Sequence, residues 1–152
     1  MPVSPPTVLT IAGVCFVRSG SGGAELLTVR KRGTSRFMLP GGKLDPGETP
    51  EVAAVREVAE EIGLDLTTAD LDLLGSFDEE AANEADTRVA ATVYTATLSE
   101  TPEVAREIEA LRWQPLTQTP RDVAPLLARH VLPALRARHP EGQHAGTGRP
   151  AG

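Results

Sequence analysis

The sequence predicts an α/β fold, strands and helices packed as a sandwich. Three observations carry this. The chain has 152 residues, 40% of them hydrophobic, which is the size of one domain able to bury a substantial core. Several short runs rich in Val, Ile and Thr are bounded by Gly, Pro, Asp and Ser, the pattern of strands and turns. Two segments, 50–62 and 122–138, read as helices.

In chain order, residues 1–6 are Pro-rich and expected to be loose. The domain proper is expected to span 7–138, with a Gly- and Pro-rich tail over 139–152 that has the composition of a disordered segment. Residues 7–18 and 25–31 are two strands joined by the turn Ser19-Gly20-Ser21-Gly22-Gly23, hence a hairpin. Arg30, Lys31, Arg32, Arg36 and Lys43 form a basic cluster. The apolar run 37–40 is expected to pair in the sheet and to deliver Gly41 and Gly42, two glycines that let the backbone approach a ligand closely. Asp45-Pro46-Gly47 is a turn, because proline sets φ and glycine accepts positive φ.

Thr49 is an N-cap, Pro50 suits the first helical position, and Glu51 complements the positive helix start. Gly63 ends the helix as a left-handed C-cap. Residues 71–77, 88–98 and 107–116 are further strands, with 78–87 an acidic loop. A second helix starts at Asp122. Pro125 fits its first turn, and Pro133 is expected to kink or divide it. No internal repeat is visible.

Composition excludes several function classes. The net charge is −6, which argues against nonspecific nucleic-acid binding, since that rests on phosphate neutralisation. Cys15 is the single cysteine, so no intramolecular disulfide and no zinc ribbon can form. Its place in an apolar strand makes it a small buried hydrophobe. The run 8–17 is too short to span a membrane and has no basic segment before it, so neither membrane association nor export is expected, and the location is expected to be cytoplasmic. His130, His139 and His144 read as solvated, and Phe37, Phe77, Tyr94 and Trp113 as core.

Chemistry concentrates in residues 42–64, GKLDPGETPEVAAVREVAEEIGL. On a helical wheel Val52, Val55, Ala59 and Ile62 form one side, and Glu57, Glu60 and Glu61 lie together on the other. Like charges at these spacings repel by roughly 0.2–0.5 kcal/mol per pair on an exposed helix. Hard oxygen ligands so clustered suit Mg²⁺ or Mn²⁺, which would reverse the repulsion. A merely solvated acidic face would account for three glutamates. It leaves unexplained Arg56 beside them, the Pro40-Gly41-Gly42 loop and Glu48.

The spacing of Gly42, Glu48, Arg56-Glu57-Val58, Glu60-Glu61 and Gly63-Leu64 fills every defined position of the signature of the Nudix hydrolases, which this stretch resembles. The resemblance implies the Nudix fold, a mixed sheet between helices. It also implies Mg²⁺- or Mn²⁺-dependent hydrolysis of a nucleoside diphosphate linked to another group. The metal set would be Glu57, Glu60, Glu61 and the Gly42 carbonyl, with Glu57 doubling as base and Arg56 orienting it.

An extra carboxylate from outside the motif is assigned to Glu107, six residues before Trp113, with Glu79, Glu80 and Glu84 as competitors. Arg30 matches a substrate-contacting arginine of MutT-type members, and Arg32, Lys43 and Gly41 join it as substrate-binding candidates. ADP-ribose hydrolases of the family tend to carry a downstream proline, and none lies between Leu64 and Pro102 here. Dinucleoside polyphosphate hydrolases tend to carry a downstream tyrosine, and here that residue is Tyr94, inside a strand. The expectation is a MutT-like nucleoside triphosphate pyrophosphohydrolase acting on a small nucleotide. ADP-ribose and dinucleoside polyphosphates are the alternatives, a non-catalytic nucleotide-sensing module is the alternative of another class, and a homodimer stays open. An isomerase of the isopentenyl diphosphate kind would need a paired Cys and Glu, for which Cys15 is badly placed.

Overall fold

A computed structural model describes residues 5, 7–105 and 107–139. The expectations placed on 1–6, apart from Pro5, and on the tail from 140 onward, His144 included, lie outside the described residues. Strand β1 (Thr7–Gly20) is the spine of the sheet. From Thr7 to Phe16 it pairs in parallel with β5 (Thr87–Ala96). From Val17 to Gly20 it pairs antiparallel with β2 (Gly23–Lys31), forming the expected hairpin. On that same side Ile11–Gly13 also pairs with β3 (Gly41–Lys43). Strand β4 (Asp72–Glu80) lies outside β5, and β6 (Ile108–Pro115) lies outside β2, giving the order β4-β5-β1-β2-β6. The sheet is mixed.

Both faces are covered, which is why the central strands read as nearly continuous apolar runs. Ala12, Val14 and Phe16 of β1, with Leu27 and Val29 of β2, pack on helix α1 (Pro50–Ile62). The alternate residues Ile11, Cys15, Val17, Ala24 and Leu26 pack on the opposite side against Leu127, Val131, Leu132 and Leu135. Burial pushes the Cys15 thiol up, far from thiolate reactivity.

Helix α1 has the predicted ends. Thr49 accepts a hydrogen bond from the Val52 N–H, Pro50 sits in the first turn, and Gly63 adopts φ +69°. The buried stripe differs from the wheel reading. It comprises Ala53, Ala54, Val58, Glu61 and Ile62, while Val52 is exposed and Ala59 also faces solvent. The small Ala53 and Ala54 let the helix backbone lie close to β1 and β3. The cost is that one glutamate of the acidic face becomes a core residue.

Two further expectations are corrected. Asp78, Glu79 and Glu80 belong to β4, paired with Ala90, Val89 and Arg88, so the acidic loop is shorter than its charge suggested. The second helix does not begin at Asp122. Its chain makes a π-helical turn over Leu127–Val131 and continues as α2 (Leu132–Arg138). Pro133 has no N–H to donate, and the turn before it widens so that the Leu132 N–H reaches the Leu127 carbonyl. The proline is thus absorbed by a local change of helix type.

Candidate active site

The site is built by a loop held against the N-terminal half of α1. Asp45-Pro46-Gly47-Glu48 closes as a turn, with the Glu48 N–H bonded to the Asp45 carbonyl and Gly47 at φ +83°. The Glu48 carboxylate returns the contact, accepting from the Asp45 N–H at 2.8 Å. Its oxygens then chelate Arg56, Nε at 2.7 Å and Nη2 at 2.8 Å, a bidentate charge-assisted pair. Arg56 also donates to Glu57 at 2.9 Å, to Glu60 at 3.3 Å and to the Lys43 carbonyl at 3.1 Å. One guanidinium thereby ties the loop to the helix. Arg56 and the Asp45 N–H hold the Glu48 carboxyl down at about 2.

Glu61 points the other way, into the molecule, and is 2% exposed. Its Oε1 accepts from the Gly41 N–H at 3.1 Å. Its Oε2 is buried with no hydrogen-bond partner and lies 3.7 Å from the Lys31 Nζ. Burial pushes its carboxyl up to about 8, opposed by the Gly41 N–H and Lys31 and reinforced by the neighbouring Glu57. A buried, half-satisfied carboxylate is expensive to keep, so this one needs a reason to be there.

The two glycines of the loop have separate tasks. Gly41 adopts φ +153°, and a Cβ there would come within 2.1 Å of the Ala12 carbonyl oxygen. At Gly42 a Cβ would meet the Glu57 carboxyl carbon at 2.6 Å. The loop therefore touches both inward carboxylates through bare backbone. On the other side of Gly41 lies an apolar pocket lined by Ile11, Met38, Ala82 and Leu126, with Glu80 at its wall.

These features fit a divalent cation in donor chemistry. Glu61 Oε2 is an unbonded carboxyl oxygen, Glu57 adjoins it, and the Gly42 backbone leaves space at the Glu57 carboxyl. The fit is incomplete in one respect. Among the described residues no three acidic, His or Cys side chains converge as a ready metal cage. Glu60 is 60% exposed and turned to Arg56. Arg56 contacts two of the three glutamates, Glu57 and Glu60.

A family model described as the NUDIX domain matches residues 9–135. The chain belongs to the Nudix family. Among solved structures, a MutT Nudix hydrolase from Burkholderia pseudomallei is similar with a TM-score of 0.69 at 29% identity, over 85% of this chain and 98% of that one. A curated 8-oxo-dGTP diphosphatase of Proteus vulgaris is 59% identical over 33 residues, 22% of this chain and 30% of that protein. A MutT-like protein of Streptomyces ambofaciens is 40% identical over 62 residues, 40% of this chain and 38% of its own. The matched stretch thus spans about a third of the length of these curated relatives.

Against the Nudix motif, the remaining expected residues fall as follows. Lys43 is exposed beside the Glu48 loop and gives its carbonyl to Arg56. Arg32 is exposed just after β2, and its N–H donates to the Glu107 carbonyl. Glu107 follows a segment whose Glu103 and Ala105 N–H groups bond the last carbonyls of α1. Its exposed side chain is not among those bonded to the motif. Arg30 is engaged elsewhere, donating to Glu109 at 2.9 Å and to the Thr34 carbonyl at 2.8 Å, beside the Phe37 ring.

Lys31, read from sequence only as one of a basic cluster, is the side chain that faces Glu61. Strand alternation could have found it, because Leu27, Val29 and Lys31 share the α1 side of β2. His130 is not simply solvated. Its Nε2 lies 2.9 Å from Glu79 Oε1 and its ring stacks on Phe77. No helix among the described residues is long and apolar enough to cross a membrane.

Proposed function

We propose that the chain is a Mg²⁺- or Mn²⁺-dependent hydrolase of a nucleoside diphosphate linked to another group, with a nucleoside triphosphate as substrate and pyrophosphate as product. The observation that carries this reading is Glu61. A buried carboxylate with one oxygen fixed by the Gly41 N–H and the other unbonded is what a cation site keeps and a merely solvated acidic helix does not.

Glu57, Glu60, Glu61 and the Gly42 carbonyl would hold the ion, with Glu107 as the carboxylate from outside the motif. A divalent ion bound there supplies charge neutralisation at the phosphates and lowers the pKa of an attacking water. Glu57 would serve as the base that accepts a proton from an attacking water. Arg56 keeps the Glu57 carboxylate aimed, and Glu48 keeps Arg56 aimed. Arg30, Arg32, Lys43 and the Gly41 backbone are the groups assigned to the substrate. The similarity to a MutT-like protein and to an 8-oxo-dGTP diphosphatase supports the triphosphate over ADP-ribose or a dinucleoside polyphosphate.

A screen of nucleoside triphosphates, oxidised triphosphates, ADP-ribose and dinucleoside polyphosphates, scored for phosphate and pyrophosphate release, tests this. Pyrophosphate from a triphosphate, abolished by chelator, is the expected result. Undiminished turnover in excess chelator would sink the mechanism, and binding without turnover of any compound would favour a sensing module.

A further inference from the structure

The contact between Lys31 and Glu61 joins two elements far apart in sequence, and the proposed reaction assigns Lys31 no role. Its position is set by the sheet. Residues alternate across β2, so Lys31 follows Leu27 and Val29 onto the α1 side. The β2–β6 ladder pairs Arg30 with Ala110 and Lys31 with Ile108, skipping Glu109. The alternation that puts Lys31 on the α1 side puts Arg30 on the other. Arg30 turns away to the skipped Glu109, and Lys31 stays over the acidic helix.

There its ammonium sits 3.7 Å from Glu61 Oε2, beyond hydrogen-bond length, with that oxygen otherwise unbonded. The other cation near the acidic face, Arg56, is committed to Glu48, Glu57 and Glu60. A lysine is suited to a loose, reversible contact. Its charge is compact, its stem is flexible, and here it is 36% exposed and so has a path outward.

We propose that Lys31 is a resident counter-cation for Glu61, a positioning residue that holds the buried carboxylate in the metal-free protein and competes with the divalent ion for Oε2. The proposal rests on the reading that Glu61 helps to hold such an ion. An ammonium against that oxygen repels an incoming divalent ion, so ion binding weakens or displaces the Lys31 contact. The protein thereby avoids leaving a bare buried charge when empty, at the expense of some metal affinity.

The test uses the full chain as wild type, Lys31→Met and Lys31→Arg, with thermal melts in chelator and calorimetric titration with Mg²⁺. Lys31→Met should melt roughly 2–4 °C below wild type in chelator, yet bind Mg²⁺ about threefold to tenfold more tightly, because a nearby positive charge is gone. Lys31→Arg, which keeps the charge, should stay near wild type in both. An unchanged melt in chelator, or an affinity in Lys31→Met that is unchanged or weaker, overturns the proposal. Lys31→Gln replaces Lys31→Met if the latter does not fold. A wild type that binds neither Mg²⁺ nor Mn²⁺ overturns the metal reading and this proposal with it, whereas a failure confined to the Lys31 variants leaves the metal reading standing.

Discussion

Two glutamates of this protein are buried on opposite sides of the sheet, Glu61 at 2% exposure and Glu79 at 7%, and their carboxyls are driven in opposite directions. Burial raises both. At Glu79 the Glu80 N–H, Arg129 and His130 outweigh it and hold the carboxyl below its usual range. Every oxygen there has a partner, since Oε2 accepts from the Glu80 N–H and Arg129 while Oε1 meets His130. At Glu61 one backbone N–H and a loosely placed lysine do not suffice, and the carboxyl is pushed up to about 8. Burial alone therefore does not set the direction in which a carboxyl shifts. What separates the two is an oxygen left open in a site lined by backbone, against one closed by an ion pair that fastens β4 to the π turn.

The sharpest way to break this contrast is to neutralise each glutamate in turn. Glu61→Gln should lower kcat/KM by about a hundredfold or more, equivalent to roughly 2.7 kcal/mol of transition-state stabilisation, with little change in metal-free stability. Glu79→Gln should do the reverse, destabilising by roughly 1–3 kcal/mol through the loss of its charged partners and leaving kcat/KM within about tenfold. Denaturant melts beside steady-state kinetics decide it, and equal activity losses in the two variants would end the distinction.

The arginines that serve the two regions give a second, smaller test. Arg56 is 26% exposed and joins loop to helix. Arg56→Gln should destabilise by roughly 1–3 kcal/mol and cost about tenfold or more in kcat, as Glu57 loses its orientation. Arg129 is 57% exposed. Arg129→Gln should leave activity near wild type and lower the melting temperature less than Arg56→Gln does. A larger loss of activity at Arg129 would move the site to the other side of the sheet.

The smallest expected effect is an acid signature of the Glu48–Arg56 pair. The folded carboxyl of Glu48 lies near 2, against 4.5 for an unperturbed glutamate. A lowered folded pKa means stability that is fully present above about 4.5 and is lost as pH falls toward 2. The gap in melting temperature between wild type and Glu48→Gln should therefore be constant from pH 7 to about 5 and narrow steadily below it. A gap independent of pH down to 2.5 would show that the pair contributes through shape and not through charge.

Helix α1 was legible in the sequence to the residue, because its limits are set by local chemistry. Thr49, Pro50 and Gly63 act within one turn of where they stand, and the turn before them needs only Pro46 and Gly47. The hairpin of β1 and β2 and the acidic motif with its arginine are local or periodic patterns of the same kind, whereas the mixed sheet covered on both faces follows only from the resemblance that the motif carries. The burial of Glu61 was not legible. On an isolated helix it is one more acidic residue, and it goes inside only because Ala53, Ala54 and Val58 bring that face onto β1 and β3. Alternation along β2 shows which face Lys31 takes, but that Glu61 lies opposite it depends on how α1 docks on that face, which no local signal announced. Nor could the charge of Asp78, Glu79 and Glu80 show that they continue a strand, since the ladder to β5 and a π turn some fifty residues later provide their partners. Sequence by itself pointed to the groups proposed to carry the chemistry and determined how the helix that bears them begins and ends. Which carboxylate is left open, and which is closed, was decided by tertiary contacts, because the energy of a charge depends on what surrounds it and those surroundings come from distant parts of the chain.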